Sequence, residues 1–156
     1  MTRITGKKGA RRLAASAGAL VAGLAVGVPP AGAASPSAQK TPLTQTNRGC
    51  DGNVIGPVLS QAKGFAILSR PERDKVVAAV AVKGARPNTT YNIRLIQILP
   101  DDSDCHTING TLTTDSNGHG NANVQERVLP GATTAWVDLN GQLDFDNYYD
   151  TQPVAF

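Results

Sequence analysis

The sequence predicts an all-β domain, an antiparallel β-sandwich of about seven to eight strands. From Cys50 onward, short apolar runs are separated by turn residues roughly every 8 to 12 positions, the spacing of a sandwich. No stretch carries a convincing amphipathic-helix period. The strongest turn signals, Pro87-Asn88, Asn117-Gly118 and Pro130-Gly131, fall between the runs.

In chain order, Val54 to Ser60 and Gly64 to Ser69 are the first short strands. Lys75 to Lys83 places Val76, Ala78, Val80 and Val82 on one parity, a strand with one heavy face and one alanine face. Thr90 to Leu99 puts Ile93, Leu95 and Leu99 on one face and Ile96 and Ile98 on the other, so this strand is central and buried on both sides near its end. Pro100 stops it, and Asp101 to Asp104 form a polar loop. Thr107 to Thr114 and Asn121 to Leu129 are the arms of a hairpin, because Asn117-Gly118 supplies the positive φ that tight turns require. Thr133 to Leu139 carries Trp136, the one tryptophan, as a core residue. Gly141 to Asp150 reads as an acidic, aromatic loop in which Phe145, Tyr148 and Tyr149 are expected to pack over the sandwich end, the alternative being that they bind sugar rings or a partner protein. Val154 to Phe156 is a last edge strand.

The N-terminus has the three parts of a signal peptide over residues 1–34. Arg3, Lys7, Lys8, Arg11 and Arg12 are a basic start, Leu13 to Val28 is an uncharged stretch of small and apolar residues, and Ala31-Gly32-Ala33 is an A-x-A site. Cleavage is expected after Ala33 or Ala34. Arg11-Arg12-Leu13 is an incomplete twin-arginine pattern, so the general secretory route is the expected one. The apolar stretch falls short of the roughly 20 residues that span a membrane. Residues 35–48, rich in Ser, Pro, Thr and Gln with a single Leu, read as a disordered leader, and 49–156 as the folded domain.

Removing the signal changes the charge. Five of the fifteen Lys and Arg lie in it and none of the twelve acids, which leaves ten cations against twelve anions, a net charge of −2. The mature chain therefore lacks the basic stripe of a nucleic-acid binder and the polybasic patch of a membrane-surface protein. Its two cysteines, Cys50 and Cys105, are expected to pair in an oxidising compartment. The loop they would close, roughly 55 residues, corresponds to about 4 kcal/mol of chain entropy.

No chemistry announces itself. Asp101, Asp102 and Asp104, or Asp138, Asp144, Asp146 and Asp150, supply the oxygens calcium needs, but neither set has EF-hand spacing, and solvated loop charge is the plainer account. His106 and His119 are the only histidines, too few for a transition-metal site once the cysteines pair, so no cofactor is expected. There is no Gly-x-Ser-x-Gly, and no carboxylates are paired in a recognisable acid–base motif. No residue is assigned a catalytic role. Asn88-Thr89-Thr90 and Asn109-Gly110-Thr111 match glycan acceptors, but the Ala-rich signal is of bacterial character and no glycan is expected.

Gly84-Ala85-Arg86-Pro87-Asn88-Thr89-Thr90-Tyr91, then Cys105, then Thr114-Asp115-Ser116-Asn117-Gly118-His119-Gly120, resembles secreted β-sandwich proteins of actinobacteria. This chain has one Thr more before Tyr91 than that pattern. The resemblance implies an immunoglobulin-like fold and carries no activity or site residues. The expected function is that of a secreted, non-catalytic binding or structural module whose partner is an extracellular protein or polysaccharide. A small extracellular hydrolase and a calcium-stabilised adhesion module are the alternatives.

Overall fold

A computed structural model describes residues 38–59, 61–101 and 104–156. The signal-peptide reading over 1–34 lies outside the described residues, as do Ser60, Asp102 and Ser103. Eleven strands and no helix occur among them. They are β1 (Gln39–Pro42), β2 (Gln45–Arg48), β3 (Val54–Leu59), β4 (Gly64–Glu72), β5 (Lys75–Val82), β6 (Thr90–Gln97), β7 (Gly110–Thr113), β8 (Gly120–Arg127), β9 (Thr134–Gly141), β10 (Tyr148–Asp150) and β11 (Val154–Ala155).

Two antiparallel sheets make a sandwich. The first has the order β1-β4-β5-β8, and the second β10-β9-β6-β7 with β11 sharing the outer edge of β9. The central pairs, β5 with β8 and β6 with β9, are not consecutive in the chain. The chain therefore crosses between sheets at β5–β6, β7–β8 and β8–β9, a Greek-key connection. A separate hairpin of β2 and β3 is joined to the second sheet by a single bridge, Thr44 to Asp150.

Alternation explains the core. Val76, Ala78, Val80 and Val82 of β5 face Tyr91, Ile93 and Leu95 of β6 and Ala135, Val137 and Leu139 of β9, all buried in one cluster. Each large aliphatic side chain removed from water in this way contributes about 1.5–3 kcal/mol. Two buried polar groups fix how the layers lie. The Gln97 amide donates to the Arg127 carbonyl (2.8 Å) and accepts from the Leu129 N–H (2.9 Å), joining β6 to the β8–β9 crossing. The Tyr91 hydroxyl meets the Asn147 side chain at 2.9 Å, with the Tyr149 ring centroid 5.8 Å from its own.

The β7–β8 turn forms where Asn117-Gly118 predicts it. The Asp115 carboxylate accepts from the N–H groups of Asn117 (2.8 Å) and His119 (2.9 Å), which holds its pKa below the usual value. Gly118 has φ +76°, and a Cβ there would lie 2.1 Å from the Ala85 carbonyl oxygen, so only glycine fits.

Two expectations need correction. Residues 38–48 of the expected leader are not disordered: they form β1 and β2 and bury Thr41, Leu43 and Thr46. Edge pairing with β4 and β3 satisfies their backbone groups, so their lack of apolar content does not decide the matter. The acidic loop from Gly141 closes into β10, because the buried Tyr149 pulls its neighbours into register with β9. Trp136 is a buried core residue of β9 as expected, and it packs on the outer side of the second sheet with Ile96, Ile98 and the two cysteines.

Candidate functional site

The β5–β6 and β9–β10 loops meet at one end of the sandwich and frame an open cleft of about 600 Å³ lined by Arg86, Asn88, Thr89, Gln142, Leu143 and Asp144. Both loops are anchored from below. Buried Thr114 accepts from the Thr89 N–H (3.0 Å) and donates to the Arg86 carbonyl (2.6 Å), and Asn88 takes a positive φ of 50°. Asn147 carries its side chain down to Tyr91, while its backbone N–H bonds the Asp144 carbonyl (3.1 Å). Arg86 and Asp144 are paired across the rim at 2.5 Å. Held this way, the β9–β10 loop presents Leu143 fully exposed and Phe145 76% exposed. A fixed loop that displays apolar side chains loses little entropy on binding. Tyr149 packs inward as expected, Tyr148 is half-buried, and Phe145 is exposed.

The second concentration of polar groups is buried. On the outer face of the second sheet, Arg94 of β6, Asp138 of β9 and Asp150 of β10 stand in one cross-strand row, and Arg48 of β2 closes it. Arg94 donates to Asp138 through Nε (2.8 Å) and Nη2, and through Nη1 to the Cys105 carbonyl (3.1 Å). Asn140 also donates to Asp138 at 2.5 Å. Arg48 Nε lies 3.3 Å from Asp150. Burial raises the Asp138 pKa, with Arg94 opposing. Burial, opposed by Arg48 and reinforced by the Asp138 charge, raises Asp150 to about 7.

This row makes stability pH-dependent. A carboxyl raised from its ordinary 3.8 to about 7 binds a proton in the folded state that the unfolded chain has released, so stability falls as pH rises from about 4 through 7. Asp104, Glu126 and Asp138, all raised chiefly by burial, act with the same sign. Exposed Asp51 and Asp115 are lowered and act oppositely at lower pH. The melting temperature is therefore expected to be higher at pH 5 than at pH 8, with Asp150→Asn removing most of the difference. Equal or higher melting at pH 8 would refute the assignment.

The other residues singled out in the sequence are dispersed. Cys50 and Cys105 form the expected disulfide. Buried Asp104 accepts from the Gln97 N–H at 2.6 Å, a structural role. Of the second acidic set, Asp138 and Asp150 lie in the charge row, Asp144 pairs with Arg86, and Asp146 is exposed. His106 and His119 are both exposed. Among the described residues, no three His, Cys, Asp or Glu side chains gather as metal ligands. The signal for Arg94 is that it and Asp138 are opposite charges in the middle of two apolar strands. An isolated Leu143 in an acidic loop gives no signal in the sequence. No family model, curated protein or solved structure matches this chain.

Proposed function

We propose that this chain is the precursor of a secreted, non-catalytic binding module with an immunoglobulin-like sandwich, and that it engages an extracellular protein or polysaccharide through its β5–β6 and β9–β10 loops. The observation that carries the reading is the anchored β9–β10 loop, with Leu143 and Phe145 displayed beside the cleft. The Greek-key crossings support the fold label: β5, β6, β8 and β9 stand to one another as strands B, C, E and F of an immunoglobulin sandwich. In that frame the two loops correspond to the B–C and F–G loops, which form the binding end of variable domains. Export is supported by the signal pattern at the N-terminus and by a disulfide that persists in oxidising surroundings.

Purified mature protein should be retained by insoluble extracellular polysaccharide or by intact cell surfaces. The double variant Leu143→Ser/Phe145→Ser should lose affinity by about 30-fold or more, as interface anchors do. Its unfolding free energy should change by no more than about 0.5 kcal/mol, since both side chains are exposed. Binding indifferent to both substitutions would refute the loop assignment. Robust turnover of ester, peptide, phosphate or glycoside substrates would refute the non-catalytic reading.

A further inference from the structure

The β2–β3 hairpin is built as a separable piece. Its bonds are largely its own: the Gly49 N–H to the Asn53 carbonyl (2.9 Å), the Gly52 N–H to the Gly49 carbonyl (2.8 Å), and Arg48 Nη1 to the Gly52 carbonyl (2.9 Å). Among its described residues only Cys50 joins an apolar cluster, and none enters the core between the sheets. Val54, Ile55 and Val58 of β3 point to solvent instead. The hairpin nevertheless lies against the outer face of the second sheet. Gly52 sits so close to Pro153 and Ile98 that a Cβ would meet them at 2.4 and 3.0 Å. Arg48 reaches Asp150, and Cys50 is bonded to Cys105 beside Ile96 and Trp136.

We propose that this hairpin is a redox-latched strap. With the Cys50–Cys105 bond intact, it lies over the outer face of the second sheet. Reduction by an external dithiol converts the bond to two thiols and the reductant to its own disulfide. The hairpin then swings away at Thr44 while the sandwich stays folded. Opening uncovers an apolar and acidic surface of Ile96, Trp136, Asp138 and Asp150. What keeps the strap closed is covalent, because one backbone bridge, one ion pair, the Thr46 N–H on the Asp150 carboxylate and one glycine contact are few bonds for a segment that supplies no residue to the core between the sheets. The inference is independent of the loop-end reading and concerns a different face.

The test compares oxidised full-length mature protein, the same protein reduced and alkylated, and the Cys50→Ser/Cys105→Ser variant by amide hydrogen exchange. Relative to β5, β6 and β9, the amides of residues 45–58 should lose about 100-fold or more of their protection in the two latch-free forms. Trp136, the only tryptophan, should shift its emission to the red and become quenchable by acrylamide. A common exchange rate for hairpin and sandwich would overturn the proposal, as would unchanged hairpin protection. So would a latch-free protein that does not fold.

Discussion

Replacing Arg94 with alanine is expected to lower the unfolding free energy by about 3–5 kcal/mol at pH 8, the cost of leaving a buried charge without its partner. Asp138 is only 5% exposed, and Arg94 is its one cationic hydrogen-bond donor. The guanidinium also holds the Cys105 carbonyl, so its loss leaves a second acceptor without a donor. With Arg94 gone, Asp138 and Asp150 face each other across β9 and β10 with Arg48 alone to offset them. The variant should recover on acidification. Removing the cation raises the folded-state pKa of Asp138 further, so the folded state binds a proton the unfolded chain has lost, and the deficit shrinks as pH falls from 8 to 5. Arg94→Met/Asp138→Leu, which replaces the pair by apolar groups, should lie within about 1.5 kcal/mol of the parent or above it. Denaturant titrations at the two pH values decide the matter. A single variant within about 1 kcal/mol of the parent at pH 8 would mean that the row is solvated and Asp138 is not held as described.

The residues differ in how much of this they disclosed. Val76, Val80 and Val82 announced β5 because a valine at every second or fourth position has no use except on a buried face, and all three are buried. Asp115 to Gly118 announced its turn because the backbone there needs a carboxylate acceptor and a positive φ, both local requirements. Gln39–Pro42 and Gln45–Arg48 announced nothing, since strands of four residues held by backbone bonds, the first to β4 and the second to its hairpin partner β3, leave no apolar period. Tyr148–Asp150 is shorter still, and one buried tyrosine in an acidic segment does not distinguish a strand from a loop. Trp136 and Val137 are adjacent and both buried, which shows that β9 is covered on two sides. The sequence could not say that one cover is the opposing sheet and the other a disulfide-bonded hairpin. The loop end was illegible for a similar reason: the exposure of Leu143 depends on Asn147 reaching Tyr91, a contact across 56 residues.

The disulfide carries the second large effect. Cys50→Ser should lower the unfolding free energy by up to about 4 kcal/mol, the chain entropy of a loop of this length. The bond spans 55 residues, from the β2–β3 turn to the β6–β7 loop, so the unfolded chain it constrains includes β3, β4, β5 and β6. For a domain near 120 residues, 4 kcal/mol corresponds to a fall of about 15 °C in melting temperature. A domain of this size has only about 5–15 kcal/mol in total, so the variant should remain folded at 25 °C with a much narrower margin. Two effects contribute, and they are separable. Greater freedom of the unfolded chain slows folding as far as the loop is already closed in the transition state, and raises the unfolding rate only as far as the loop is still open there. Loss of the strap exposes surface in the folded state, which lowers the denaturant slope because less surface remains to be exposed on unfolding. A reduced slope together with a lower midpoint is the expected pattern, and an unchanged slope would assign the whole effect to the unfolded chain. Native protein recovered from outside the cell should show close to zero titratable thiols. Two thiols per chain, or a Cys50→Ser variant that melts within a degree or two of the parent, would show that the bond contributes nothing to the fold.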